Sequence, residues 1–366
     1  MRKLGFGCMR FPIKNGNYTD IDVELTKKMI DTYMKRGFTY FDTAYVYHGG
    51  NSEKVLREVL VERYNRDKFT ITTKMPMFAV RKEEDLERIF NEQLERLGTD
   101  YVDYYWLHAL NEAEYEKSNK VKAFDFIVKK KEEGKIKHIG FSFHDSPELL
   151  ERILKEHPET EYVQLQINYL DWESPAIEAK KCYDICTKYG KPVIVMEPVR
   201  GGKLANVPSE AKELFKNYKI DMSEASWAIR YCASLENVMV VLSGMSTLEQ
   251  VEDNTSYMQE FKPLNNEEQE IVKKVAEIIK SKTAISCTAC RYCVDGCPMK
   301  IAIPEYFNLY NERENGMNSN VYYQNIVASG KGKASECIKC GKCEKVCPQH
   351  LHIRKYLEDV TTQFER

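Results

Sequence analysis

Hydrophobic and polar positions over residues 1–260 alternate between two patterns. Short runs rich in β-branched and aromatic residues fall at Leu4–Gly7, Phe38–Asp42, Phe69–Lys74, Val102–His108, Ile136–Ser142, Tyr162–Asn168, Pro192–Glu197 and Val238–Ser243. They read as strands. Longer amphipathic stretches lie between them, among them Asp22–Arg36, Asn51–Tyr64, Glu83–Leu97, Lys120–Glu133 and Pro175–Tyr189. Gly37, Gly98, Gly134 and Gly190 stand where those helices should stop. Eight strands alternating with helices predict an α/β chain folded as a (β/α)8 TIM barrel. The competitor, a doubly wound sheet, would carry G-x-G-x-x-G after its first strand if it bound a dinucleotide. GFGCMR breaks that pattern at Arg10.

A barrel gathers its chemistry at the C-terminal ends of its strands. Asp42, Lys74, His108 and Ser142 end the second to fifth runs, Gln166 lies near the end of the sixth, and Glu197 ends the seventh. So many polar residues at consecutive strand ends would face one mouth.

The pattern changes after residue 260. Gln259–Asn266 is a breaker-rich connector and Glu267–Lys280 reads as a bridging helix, so the expected division is 1–260 barrel, 261–283 linker and 284–366 a second domain. Composition sharpens that division. Of 12 cysteines, Cys8, Cys182, Cys186 and Cys232 are spread over residues 1–286, and eight crowd the last 80. Cys182 and Cys186, at i and i+4 of a helix, read as packing thiols. Cys287, Cys290, Cys293 and Cys297 form C-x2-C-x2-C-x3-C before Pro298, and Cys337, Cys340, Cys343 and Cys347 repeat it before Pro348. This is the bacterial ferredoxin run, in which the fourth cysteine serves the other cluster. The expectation is one [4Fe–4S] cluster on Cys287, Cys290, Cys293 and Cys347, and a second on Cys337, Cys340, Cys343 and Cys297. Zinc sites, the competing reading, more often use paired CxxC units. IPEYFNLYNERE and NVYYQNIVAS, between the two runs, look helical. The module therefore resembles the α-helical ferredoxins. Residues 331–345 carry five lysines against two glutamates. They form either a solvated face that compensates cluster charge or a docking face for an acidic redox partner.

The net charge of −2, with 43% hydrophobic and 30% charged residues, suits a chain with a real core and advertises no nucleic-acid partner. No apolar run is long enough to span a bilayer, and MRKLGFGCMRFP lacks a signal-peptide core. No membrane association is expected, and a cytoplasmic location is.

FDTAYVY, TTK and YYWLH, in that order, resemble the motifs of the aldo-keto reductases. With GFGCMRFP and GFSFH, the whole chain is similar to the bacterial and archaeal subfamily that carries a C-terminal 4Fe–4S domain. The resemblance implies a catalytic tetrad of Asp42, Tyr47, Lys74 and His108. Hydride from NAD(P)H would reach a small carbonyl substrate, or leave the alcohol in reverse. Tyr47 would act as general acid, helped by Lys74 and Asp42, while His108 orients the carbonyl. It further implies nicotinamide contacts at Ser142, Gln166 and Tyr169, although Phe143 stands where relatives usually have asparagine. Glu197, Pro198, Val199, Gly201, Gly202 and Leu204 would cover the pyrophosphate. Gly244, Ser246, Gln250 and Asn254 would hold the adenosine. NADP-selective relatives place a basic side chain in that last segment; residues 243–254 have none, which leans toward NADH unless Arg200 or Lys203 reaches the 2′-phosphate. Arg10, His48 and His144 are substrate candidates. The tetrad implies two-electron chemistry, whereas each cluster passes one electron and no flavin motif is visible. The clusters would then be structural, redox-sensing or electron-transferring, in the last case with a ferredoxin-like partner. The alternatives are an iron–sulfur electron-transfer protein with another barrel cofactor, or a non-catalytic barrel.

Overall fold

Eight parallel strands close on themselves in chain order, β1 (Leu4–Gly7), β2 (Tyr40–Asp42), β3 (Thr70–Met75), β4 (Val102–Leu110), β5 (Ile136–Phe143), β6 (Tyr162–Gln166), β7 (Val193–Met196) and β8 (Val238–Ser243), with β8 pairing back to β1. The computed structural model describes residues 2–219, 221–314 and 319–365. Every expected strand is present, and the fold is the (β/α)8 barrel.

Alternation along each strand sorts the side chains. Tyr40, Tyr104, Trp106, Ile194, Val240 and Leu242 fill the barrel interior. Their neighbours Phe41, Ile71, Tyr105, Leu107 and Val195 point outward into the layer beneath the helices. One more step of two residues carries the inward face from Tyr40 to Asp42, from Thr72 to Lys74 and from Trp106 to His108. The period-2 pattern that builds the core thus delivers polar groups to the mouth.

The surrounding helices are α1 (Val23–Lys35), α2 (Asn51–Leu56), α3 (Glu84–Leu97), α4 (Glu112–Lys120), α5 (Ala123–Glu132), α6 (Pro147–Glu156), α7 (Ala179–Lys188), α8 (Ser209–Tyr218), α9 (Glu224–Ser234), α10 (Leu248–Met258) and α11 (Asn266–Ser281). Two depart from expectation. The stretch Asn51–Tyr64 continues beyond α2 as a π-helical turn, Arg57–Val61. The stretch Lys120–Glu133 is broken where Lys122 turns left-handed (φ 55°), so a separate helix, α4, precedes α5. The four stop glycines all adopt positive φ. Among the described residues, no helix is long and apolar enough to cross a membrane.

The chain divides into two compact units, Met1–Val199 with Ala225–Gln269, and Arg200–Glu224 with Glu270–Arg366. The excursion at 200–224, which includes α8, therefore groups with the C-terminal residues. In this second unit, α12 (Tyr292–Asp295), α13 (Ile303–Glu314), α14 (Asn320–Ala328), α15 (Lys342–Lys345) and α16 (Ile353–Phe364) follow. Tyr306, Phe307, Tyr323, Leu357, Val360 and Phe364 form its core. Tyr323 lies against Tyr306 and stacks on Phe364, with ring centroids 4.5 and 5.0 Å apart. The two stretches between the cysteine runs are helical, as the sequence predicts.

Gly140 on β5 is a tight point of the barrel. A Cβ there would stand 2.2 Å from the Tyr162 carbonyl oxygen and 2.8 Å from the Trp106 ring. Gly140→Ala should therefore destabilise the chain by about 1–3 kcal/mol, the usual cost of overpacking. A lowered urea midpoint with unchanged slope checks it.

Candidate functional site

Lys74 is fully buried at the mouth, and all three protons of its ammonium have acceptors. Nζ donates to Asp42 Oδ1 at 2.6 Å, to the Thr43 carbonyl at 2.8 Å and to Tyr47 Oη at 3.4 Å. The second carboxylate oxygen of Asp42 accepts from Gln164 Nε2 at 3.2 Å. Burial pushes the Asp42 carboxyl up, against the pull of Lys74 and Gln164. Behind Lys74, the buried Gln93 donates to the Lys74 carbonyl at 3.1 Å and to Glu53 Oε1 at 2.8 Å; Glu53 also accepts from Thr73. This network ties β3 to α2 and α3.

His108 lies edge-on to Tyr47, ring centroids 6.1 Å apart at 80°. It sits beside a β-bulge between Leu107 and Leu110, where Ala109 turns to φ 56°. The bulge re-aims the imidazole. Ser142 Oγ holds it by accepting from the Ala109 amide at 2.7 Å. Burial is the main cause that holds His108 well below the ordinary imidazole range, and Lys74 and His144 add positive potential. Its Nδ1 is buried and has no hydrogen-bond partner among the described residues.

The structure thus brings Asp42, Tyr47, Lys74 and His108 together, with Ser142 and His144 close by. The remaining expected contacts are placed less uniformly. Gln166 Nε2 and Asn168 Nδ2 both donate to Asp171 Oδ2, at 3.0 and 2.9 Å, and Tyr169 packs edge-on to Tyr231. Glu197 turns left-handed (φ 58°), its carbonyl accepts from Asn168, and Pro198 and Val199 follow in a turn. Gly244 begins the segment after β8, and Gln250 Oε1 accepts from the Ser246 amide at 2.7 Å. Asn254 is buried and engaged with Ser243 Oγ at 2.9 Å and Tyr257 Oη at 2.7 Å. His48 stacks on Tyr18 and Phe11, with Nδ1 2.7 Å from the Tyr18 carbonyl.

Arg10 falls beside the segment after β8. A Cβ at Gly244 would stand 2.6 Å from Arg10 Cγ, and Ser246 Oγ donates to the Arg10 carbonyl at 2.7 Å. Gly201, Gly202 and Leu204 belong to the second unit. There Arg200 Nη2 donates to the Ser286 carbonyl at 3.3 Å, Lys203 Nζ to the Ile285 carbonyl at 3.5 Å, and a Cβ at Gly201 would stand 1.9 Å from the Thr288 carbonyl oxygen. Three participants escape a local reading of the sequence: Gln164, Arg10 as neighbour of Gly244, and Phe78, whose exposed ring lies 5.9 Å from that of His108.

In the second unit, the eight C-terminal thiols ring two cavities. Cys287, Cys290, Cys293 and Cys347 line one, and Cys297, Cys337, Cys340 and Cys343 line the other. Each holds roughly 320–330 Å³ of space, part of it open to solvent. Left-handed residues recur at matching positions in the two halves: Ala289 and Lys339, Arg291 and Gly341, Lys300 and His350. Each run therefore turns its thiols inward by the same backbone path. Thr288 also lines the first cavity, and its buried hydroxyl has no hydrogen-bond partner among the described residues. Softness of the donor set and the spread of thiols around a cavity fit an iron–sulfur cubane. Burial raises the Cys287, Cys293 and Cys347 thiols and pushes Cys343 up to about 11. Cys8, Cys182, Cys186 and Cys232 are buried, and burial raises each of their thiols as well.

Residues 3–277 match the sequence model of the Aldo/keto reductase family, and residues 286–352 match that of a 4Fe-4S dicluster domain. The chain belongs to the aldo/keto reductase family and carries a C-terminal 4Fe-4S dicluster domain. It is 29% identical over 102 residues to norsolorinic acid reductase of Aspergillus flavus, a stretch that covers 24% of this chain and about a quarter (26%) of that relative. Its structure is similar to that of an aldo-keto reductase from Bacillus halodurans in holo form, at 25% identity and a TM-score of 0.60, over 75% of this chain and 91% of the other. An aldo-keto reductase from Klebsiella pneumoniae in complex with NADPH shares the fold at 19% identity and a TM-score of 0.60, over 75% and 90% of the two chains.

A lowered value means that His108 releases its proton at lower pH, so the neutral imidazole persists on acidification through about 6.5. Imidazole ¹⁵N spectra from pH 7.5 to 5.5 should show no titration of the resonance that His108→Asn removes. A midpoint near 6.5 would contradict the assignment.

Proposed function

We propose that the chain is an NAD(P)H-dependent oxidoreductase that interconverts a small carbonyl compound and its alcohol in the barrel, and that its eight C-terminal cysteines hold two [4Fe–4S] clusters. One observation carries the first part: a buried ammonium held between a carboxylate and a tyrosine hydroxyl, with a buried imidazole beside that hydroxyl. A bound reduced nicotinamide supplies the hydride. Tyr47 donates its hydroxyl proton to the carbonyl oxygen as charge develops there. Lys74, 3.4 Å away, stabilises the negative charge left on Tyr47 Oη, and Asp42 keeps Lys74 charged and aimed. His108 donates a hydrogen bond to the same carbonyl oxygen, which a neutral imidazole can do from one nitrogen only. In alcohol oxidation Tyr47 takes the proton back. Phe78 gives the substrate an apolar wall beside His108, and His144 adds a polar one.

The buried Ser142 hydroxyl and Gln166 amide are groups suited to a nicotinamide carboxamide, with Asn168 fixing the turn behind them through Asp171 and the Glu197 carbonyl. Arg10 alters the cofactor reading. Residues 243–254 hold no lysine or arginine, yet the Arg10 stem lies across Gly244. Arg10 is the cation we choose for the adenosine end of the cofactor, a placement that would favour NADPH over NADH. Eight thiols that must stay reduced to take up iron suit a cytoplasmic setting.

Tyr47→Phe should lower aldehyde reduction by about 10²–10⁴-fold while nucleotide binding, read by quenching of protein fluorescence, is retained. Undiminished turnover would remove Tyr47 from the mechanism. Arg10→Ala should weaken NADPH at least about tenfold more than NADH in calorimetric titrations, the effect of losing a charge-assisted contact. Equal losses would return the preference to NADH. Iron and sulfide analysis of anaerobically purified protein should find about eight of each per chain; one or two zinc ions instead would reject the clusters.

A further inference from the structure

The two thiol-lined cavities differ in what covers them. Around the first, the 200–205 segment lies against the cysteine loop. Arg200, only 3% exposed, and Lys203 donate to the carbonyls of Ser286 and Ile285, just before Cys287, and Gly201 meets the Thr288 backbone. Cys293 on this side is buried.

The second cavity has an open flank. Cys340 is exposed, unlike the other seven thiols of the two runs. Ile338, beside Cys340 on the same loop and lining the same cavity, is 60% exposed. Large apolar side chains left in solvent this way mark interaction sites when they cluster within a polar rim. The rim here is basic. Lys339 is paired with Glu358, and Glu344 with Arg354. Lys342 and Lys345, on the turn between Cys340 and Cys347, enter no ion pair among the described residues. Compensation of cluster charge would account for the lysines. It does not account for an isoleucine kept in water beside the most exposed ligand. An apolar centre over a redox group, ringed by uncommitted charge of one sign, is how a short-lived electron-transfer contact combines close approach with steering.

We propose that this face is the electron port of the molecule: an acidic one-electron carrier protein docks over Ile338 and the exposed Cys340, beside Lys342 and Lys345, and exchanges one electron with the cluster that Cys297, Cys337, Cys340 and Cys343 would hold. In the reducing direction the carrier is oxidised by one electron, the cluster is reduced by one, and no proton or bond changes place. This rests on the reading that the eight cysteines hold two clusters.

The test uses the full-length, anaerobically purified protein, with iron content and the EPR signal of the dithionite-reduced clusters recorded first. Absence of cubane signals would defeat the cluster reading itself; everything below presumes their presence. An acidic [2Fe–2S] ferredoxin, photoreduced, serves as the donor in stopped flow. The rate constant for cluster reduction should fall steeply between about 20 and 200 mM salt, as screening shortens the range of attraction. Lys342→Glu with Lys345→Glu should slow it at least about tenfold at low salt and flatten its salt dependence. Ile338→Ser should slow it without changing the salt slope. Reduction by methyl viologen radical, which needs no docking, should be unchanged in each variant, as should ferredoxin reduction in the control Lys120→Glu on α4. Equal slowing with viologen and ferredoxin, no effect of the lysine reversals, or an equal effect of Lys120→Glu would overturn the port. So would sedimentation of the wild type, but not of the lysine variant, with anionic phosphatidylglycerol vesicles in place of ferredoxin binding.

Discussion

The barrel mouth depends on one buried ammonium. Removing Lys74 and Asp42 from water costs several kcal/mol for each ion, and only full satisfaction of both makes the pair tolerable. Three N–H bonds meet three acceptors, and each Asp42 oxygen has its own donor. That requirement reaches far into the fold. It fixes β2 against β3 so that Asp42 and Lys74 meet, and it draws β6 in through Gln164. It also explains the buried Glu53–Gln93–Thr73 network behind β3, which holds the Lys74 backbone from the helix side. Tyr47 enters this arrangement as the third acceptor. The hydroxyl that the proposed chemistry uses is thus also part of the solution to an electrostatic problem in the fold.

The second unit solves a different problem with the same economy of means. Four thiols must face inward around a cavity, from a loop of a few residues and one distant cysteine. The left-handed residues that recur at 289 and 339, 291 and 341, 300 and 350 provide the turns. Five of those six positions are not glycine, so the left-handed backbone is imposed by the loop path rather than by residue preference. The exchange of the fourth cysteine between cavities then ties the two runs into one body: Cys347 belongs with the first run and Cys297 with the second.

What was legible in the sequence follows from periodicity and spacing. The strand positions, and the gathering of Asp42, Lys74 and His108, are visible because inward-facing residues recur every two positions and one further step reaches the mouth. The sharing of cysteines between cavities is visible because the spacing of the runs encodes it. The illegible parts depend on closure of the barrel or on loop paths. Arg10 and Gly244 are neighbours only because β8 pairs with β1. Gln164 sits mid-strand, where nothing local separates a partner of Asp42 from an ordinary buried amide. Lys122 breaks a helical pattern with an ordinary helix-forming side chain. The segment 200–205 carries a glycine pair that suits either a turn over a nucleotide or close backbone packing, and Thr288 shows that at Gly201 close packing is at work.

The two kinds of chemistry share no residue. The tetrad lies in the first compact unit, the cysteines in the second, and the chain crosses between them after Val199, Glu224 and Gln269. The first crossing separates residues with different tasks. Glu197, Pro198 and Val199 end the β7 side, and the next residue, Arg200, bonds to the chain just before Cys287. Three further residues bring Lys203 to the adjoining carbonyl. Glu197 and Arg200 take positive φ without being glycine, so the left-handed turns on either side of this crossing are imposed by the chain path rather than by residue preference. The thiol cavities and the barrel mouth are thus built by separate compact units, joined through the peptides after Val199, Glu224 and Gln269.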